Sequence, residues 1–141
     1  MKTSSWRLIL VALPLLMAAC SDSGDSPTSP NTGNGGTTVD TVSFATDVRP
    51  ILSANCAVAG CHGTGSTSGG MTLGAATWAN VMAASGDHGA IVQSTSATSN
   101  LYLKVTSSPP FGSRMPAGRA PLTNAQIAAI RDWIDQGAQD N

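Results

Sequence analysis

Two stretches of this chain place apolar residues at the spacing of one helix face, and the first begins at position 44. Its face is formed by residues at i, i+4, i+7 and i+8: Phe44, Val48, Ile51 and Leu52. Ser43, just before them, suits the N-cap of such a helix. Pro50 interrupts the pattern, because a proline inside a helix removes a hydrogen bond and clashes with the preceding turn. The sequence therefore predicts a helix that either kinks at Pro50 or starts later, with Pro50 in its first turn.

The second stretch predicts a C-terminal helix and carries signals at both ends. Its apolar side consists of Ile127, Ile130, Trp133 and Ile134. Thr123 suits the N-cap, and Gln126 three residues later completes a capping box. Leu122 can form a hydrophobic staple with Ile127, and Gly137 suits the position after the helix end. We interpret the apolar side as core that packs against the first helix.

The segment between the two helices, residues 69–118, is rich in Gly and Ser and has little regular pattern. Residues 78–82 and 99–105 predict two short helices, the second capped by Ser99. Aromatic residues make up only 4% of the chain, which leaves a thin core for a domain of this size. The expected fold class is therefore mostly α with a loop-rich middle, in one domain over residues 41–141.

The first 19 residues have the pattern of a secretory signal. Lys2 and Arg7 form a positive region, and the apolar run over residues 8–16 that follows is too short to span a membrane. The run leads into Met-Ala-Ala-Cys, which resembles a bacterial lipobox. That resemblance implies cleavage before Cys20 and attachment of diacylglycerol to its sulfur. The alternative is an ordinary signal peptide cut after Ala19, and either way the mature protein is exported.

Residues 20–40 predict a flexible tether after the lipidated cysteine. From Ser21 to Asp40 the chain is almost entirely Ser, Asp, Gly, Pro, Thr and Asn, so it cannot bury enough apolar surface to fold. A flexible chain of this length reaches roughly 25 Å. Ser21 also lacks the Asp that resembles an inner-membrane retention signal. We therefore expect a lipid anchor in the outer membrane, facing the periplasm or the cell surface.

The charge of the mature chain argues against nucleic acid as a partner. Without Lys2 and Arg7, five Lys and Arg remain against eight Asp, which gives a formal charge of −3. No basic patch is visible along the sequence, whereas nucleic-acid-binding domains carry one.

The candidate chemistry lies in Cys56-Ala-Val-Ala-Gly-Cys61-His62. A c-type haem is attached by two Cys thioethers, and the His after the second Cys becomes an axial ligand of the iron. The usual spacing is Cys-x-x-Cys-His, so this motif holds two additional residues. Gly60 can turn there because glycine adopts positive φ without a Cβ clash.

Two other interpretations of this motif remain open from the residues alone. Cys56 and Cys61 can form a disulfide, which an oxidising compartment favours. Zinc can bind the two thiolates, His62 and His88, although adjacent Cys61 and His62 are poorly placed to bind one ion.

The order of motifs over residues 44–138 resembles small monohaem cytochromes c, and more closely the cytochrome c domains of planctomycetes and related bacteria. That family's pattern runs Phe-x-x-x-Val-x-Pro-Ile/Leu-Leu, Cys-His-Gly, Gly-Gly-Leu-x-Leu, Ser-x-Leu, Met-Pro and Ile-x-x-Trp-Ile-x-x-Gly-Ala. The matching positions are Phe44, Val48 to Leu52, Cys61 to Gly63, Gly69 to Leu73, Ser99 to Leu101, Met115 to Pro116 and Ile130 to Ala138. The chain departs from the family in its cysteine spacing, and Met71 stands where the family has Leu.

The resemblance implies a class I-like cytochrome c fold, with both terminal helices packed around one covalent haem c. It implies attachment at Cys56 and Cys61, with His62 and Met115 as axial ligands of the iron. The other candidates for the second axial ligand are Met71, Met82 and His88, or the position is open.

The expected function is an exported, lipid-anchored electron carrier that exchanges single electrons with redox partner proteins. It is not expected to be an enzyme, because two protein ligands leave the iron no free position. Two alternatives are a haem enzyme or gas sensor with an open sixth site, and a haem-free binding lipoprotein held by a Cys56–Cys61 disulfide.

Overall fold

The computed structural model describes residues 40–141, which contain short helices joined by long loops. The α-helices and strands of this part of the chain are α1 (Arg49–Asn55), α2 (Trp78–Ala83), β1 (Ser85–Gly86), β2 (Gly89–Ala90), α3 (Asn100–Val105) and α4 (Asn124–Asp135). A 3-10 turn covers Ser68–Gly70. The predicted signal, the lipidated Cys20 and nearly all of the tether lie outside the described residues. Among the helices of residues 40–141, none has the length and apolar character to span a bilayer.

The N-terminal helix starts at Phe44 with Ser43 as its N-cap, as predicted, and begins with a π-helical segment, Phe44–Val48. Thr46 N–H donates to Ser43 Oγ at 3.3 Å, and Arg49 N–H reaches back to the Phe44 carbonyl. The chain then continues as α1, with Pro50 in the first turn. A proline is tolerated there because the first turn of a helix has no partner for its N–H groups. The predicted Ser43 cap is thus confirmed, and of the two places that the sequence left open for Pro50 the structure has the first turn of α1.

The C-terminal helix α4 is confirmed with the predicted capping box. Gln126 N–H donates to Thr123 Oγ1 at 3.2 Å, and Thr123 N–H donates to Gln126 Oε1 at 2.9 Å. Gly137 follows the helix at φ +95°, in the left-handed region that glycine occupies without strain. The fully buried face of α4 consists of Ile130, Trp133 and Ile134.

The N-terminal helix packs against α4, as expected. The Phe44 and Trp133 rings lie 5.2 Å apart between centroids and are tilted by 41°, a favourable geometry for two aromatic rings. Hydrogen bonds join the same two parts of the domain. Val42 N–H donates to Gln136 Oε1 at 2.8 Å, and Phe44 N–H donates to Asn141 Oδ1 at 2.7 Å. This contact closes one side of a small, mostly helical, loop-rich domain.

The middle of the domain keeps both predicted short helices and adds a hairpin that the sequence did not suggest. Ser99 stands at the N-cap position of α3, but its hydroxyl donates to the Thr95 carbonyl at 2.7 Å instead of capping the helix. β1 and β2 pair antiparallel, with Asp87 and His88 at the turn. Strands of two residues are too short to produce the alternation that predicts a strand.

Candidate functional site

The helices and loops form a partly open cavity of about 410 Å³. Its walls come from the loop after α1, the β-hairpin, α3 and the loop before α4. The apolar lining residues include Leu73, Ile91, Leu101, Val105 and Phe111. A second cavity of about 250 Å³ adjoins it and shares Cys56, His62 and Met115 with the first. Cavities of roughly 300–1,000 Å³ with apolar walls and few polar groups are typical of small-molecule and cofactor sites.

All four cofactor-binding residues predicted from the sequence line this pair of cavities. Cys56, His62 and Met115 line both, and Cys61 lines the smaller one. Met115 is far from the other three in sequence, so the fold brings it to them. Of the other candidate iron ligands, Met71 and His88 line the larger cavity. Met82 packs against the core from α2 and lines neither.

The loop that carries the two cysteines and His62 continues directly from α1. Cys56 N–H donates to the Leu52 carbonyl at 2.9 Å, and His62 N–H donates back to the Cys56 carbonyl at 3.1 Å. To bring His62 back to Cys56 the chain must reverse its direction, and it does so at Gly60 with φ +78°. Gly60 and the preceding Ala59 are exposed. The two additional residues of the motif are therefore accommodated in a turn at the surface.

Gly63, directly after His62, is required by close packing of the same loop. A Cβ atom at this position would lie 2.9 Å from the Ala57 carbonyl oxygen and equally close to the Val58 backbone. Real Cβ atoms essentially never approach backbone so closely. The Cys-His-Gly segment thus folds against the loop between the cysteines, which fixes where the His62 backbone stands.

The orientation of the His62 side chain is set by a backbone hydrogen bond. Its Nδ1 lies 3.2 Å from the Met71 carbonyl oxygen. A carbonyl only accepts, so Nδ1 carries the proton in the neutral ring, and Nε2 keeps its lone pair. Among the described residues Nε2 makes no hydrogen bond. His62 is 9% exposed and lines both cavities, so the Nε2 lone pair is available to a ligand there.

Both cysteines are free thiols in the structure, with Cys56 buried and Cys61 half-buried. Burial, with a further contribution from Cys61, raises the pKa of the Cys56 thiol to about 11, although Arg119 acts in the opposite direction. Desolvation disfavours the thiolate, so Cys56 stays protonated at neutral pH. Within residues 40–141, no group of three or more His, Cys, Asp or Glu side chains is arranged to hold a metal ion. The zinc ligand set considered from the sequence is thus not assembled there.

Met115 is half-buried and enters the site on a loop that α3 holds. Its N–H donates to the Lys104 carbonyl at 2.7 Å, and a cis peptide bond joins it to Pro116. The Lys104 ammonium donates to the Phe111 and Ser113 carbonyls, each at 2.6 Å. Sequence analysis missed Lys104, because its partners lie in a loop without periodic pattern.

His88 lies at the turn of the β-hairpin. It is exposed, but its ring stacks on Phe111 with centroids 3.7 Å apart and planes 25° apart. Asn100 Nδ2 donates to the His88 carbonyl at 2.9 Å, which ties the hairpin turn to α3. The stacked rings of His88 and Phe111 therefore form part of the cavity wall.

A scan of protein-family models, a search of curated proteins and a search of solved structures each found no match to this chain.

Proposed function

We propose that this protein is a c-type cytochrome that carries single electrons. One haem c is attached to Cys56 and Cys61, with His62 and Met115 as the axial ligands of its iron. The observation that carries the proposal is the His62 Nδ1 contact with the Met71 carbonyl. It leaves Nε2 as the metal-binding nitrogen of a buried histidine, on a cavity that Met115 and both cysteines also line.

The residues present fit a covalent haem in donor type and in surroundings. Two free thiols, an imidazole and a thioether are the groups that attach and ligate a c-type haem. The cavity walls are mainly apolar, which would suit the faces of a porphyrin. Lys104, Asn100 and His88 supply polar atoms along the same cavity.

When bound, the haem supplies a one-electron couple between ferrous and ferric iron. This chain's residues set the conditions of that couple. The Met71 carbonyl holds the His62 ring in one orientation and raises the basicity of Nε2. The Met115 thioether is a soft ligand that raises the reduction potential, as His/Met ligation does.

The proposed ligand set favours a carrier over an enzyme. With His62 and Met115 both on the iron, dioxygen and peroxide find no position to bind. In this proposal the mature protein is lipidated on Cys20, anchored in the outer membrane, and exchanges electrons with partner redox proteins. The composition of residues 21–40 predicts a flexible tether, which would give the domain room to meet them.

The test is whether haem stays on the polypeptide after denaturation. We expect wild-type protein to give a haem-stained band on a denaturing gel, and Cys61→Ser to lose it. Cys20→Ser is the matched control, because it removes a sulfur atom outside the motif and is expected to keep the stain. Wild-type protein that contains no haem, or releases all of it on denaturation, contradicts the proposal.

A further inference from the structure

Lys104 contacts the loop of Met115 at three points. Its ammonium donates to the Phe111 and Ser113 carbonyls, each at 2.6 Å. Its own carbonyl accepts the Met115 N–H at 2.7 Å. Lys104 thus binds the segment from Phe111 to Met115 at its start, middle and end, from a position in the last turn of α3.

The same lysine fixes the side chain of Phe111. The Lys104 ammonium lies 4.8 Å from the centre of the Phe111 ring, within the distance of a cation–π interaction. Phe111 in turn stacks on His88 at 3.7 Å. The stack holds the His88 ring against Phe111 at the cavity, while the loop backbone presents Met115.

No other described contact replaces these ammonium hydrogen bonds. Residues 106–123 contain no helix or strand, so the backbone groups of this segment lack regular partners. Hydrogen bonds from a charged donor are stronger than those between neutral groups. Without the ammonium, the loop keeps its Met115 N–H bond to α3 but loses the bonds that shape the preceding turn.

We propose that Lys104 is the positioning residue that presents the Met115 sulfur to the haem iron and keeps His88 stacked on Phe111. This inference rests on the proposed ligation by Met115. Lys104 acts through the loop and does not itself touch the iron. Its role is separate from general stability, because all of these contacts converge on one loop and one aromatic ring.

The experiment compares Lys104→Leu, Lys104→Arg and the control Arg131→Leu in the full-length, haem-loaded protein. Arg131 is an exposed cation on α4 that pairs with Asp132 and makes no described hydrogen bond to the Met115 loop. We expect Lys104→Leu to weaken the far-red sulfur-to-iron absorption band and to raise carbon monoxide affinity by about tenfold or more, which corresponds to ~1.4 kcal/mol. Lys104→Arg restores two donors to the carbonyls and is expected to recover most of the band.

Hydrogen exchange of peptides covering residues 111–117 gives a readout of the loop itself. We expect faster exchange there in Lys104→Leu, with unchanged exchange in α4. Equal loss of protection throughout the domain indicates a structural role only and overturns the inference. An intact band with unchanged carbon monoxide affinity in Lys104→Leu overturns it as well. A wild-type protein without haem is a different failure, because it rejects the proposed function before any variant is compared.

Discussion

His62 and Met71 are joined by a contact of 3.2 Å between the imidazole Nδ1 and a backbone carbonyl oxygen. The segment that contains Met71 also holds the His62 backbone, since Leu73 N–H donates to the His62 carbonyl at 2.6 Å. The segment after the motif therefore fixes both the position and the ring orientation of the histidine. This relationship depends on the Met71 backbone and not on its side chain.

The first prediction separates these two parts of Met71. His62→Ala is expected to abolish haem incorporation, because it removes the proposed metal-binding nitrogen. Met71→Leu keeps the carbonyl and is expected to retain haem, its spectrum and its potential. Haem staining and absorption spectra of the two purified variants check this. A changed far-red band in Met71→Leu would assign the axial sulfur to Met71.

The second prediction concerns Met115. Met115→Ala is expected to erase the weak sulfur-to-iron band of the oxidised protein, lower the reduction potential and open the iron to carbon monoxide. The control His88→Ala is expected to change none of these, because the His88 ring is engaged with Phe111. Visible spectra and redox titrations of the two variants show whether Met115 or His88 is the ligand. Unaltered spectra in Met115→Ala with altered spectra in His88→Ala would reverse the ligand assignment.

The third prediction is a pH dependence of the reduced protein made without haem. The pKa of the Cys56 thiol is raised from 9.0 to about 11, chiefly by burial. The Cys56 thiol therefore holds its proton more tightly in the folded state than in the unfolded state. Its contribution to the free energy of unfolding is fully present below pH 9. This contribution is lost as the pH rises from 9 through about 11, which lowers the free energy of unfolding by on the order of 2–3 kcal/mol.

Urea unfolding at a series of pH values measures this effect. Cys56→Ser removes the titrating thiol, so the difference between wild type and variant isolates its contribution from other groups. We expect the free energy of unfolding of wild type to fall more steeply than that of Cys56→Ser above pH 9. Parallel profiles would contradict the assignment.

The fourth prediction addresses the core. Trp133 is fully buried, packs on Phe44 and donates its Nε1–H to the Gln139 carbonyl at 2.9 Å. Trp133→Ala is expected to reduce the free energy of unfolding by about 3–5 kcal/mol, because it creates a cavity and removes a hydrogen bond. The exposed Ser94→Ala is a control expected to have little effect. Chemical denaturation of both variants tests the difference.

The fifth prediction concerns Cys20, which lies outside the described residues. Cys20→Ala is expected to abolish acylation, since it removes the sulfur to which the lipid is attached. Metabolic labelling with a fatty acid and membrane fractionation measure the outcome. Equal acylation and membrane association in wild type and variant would show that the lipobox interpretation is wrong.

Local signals in the sequence were enough to predict both terminal helices. Ser43 and Thr123 cap helices through hydrogen bonds to residues three positions away, so the information lies within one turn. The same holds for the apolar faces that bury Phe44 and Trp133. The turn at Gly60 was also predictable, because glycine accepts positive φ. The haem attachment inferred from the motif stays a prediction.

Only the tertiary structure decided which side chains meet at the cavity. The sequence names Met71, Met82, His88 and Met115 as alternatives, whereas the fold excludes Met82 from the cavity walls and stacks His88 on Phe111. Lys104 and its contacts to the Met115 loop left no signal in the sequence. These relationships depend on the paths of loops, whose backbone hydrogen bonds are made to distant residues and follow no repeating pattern.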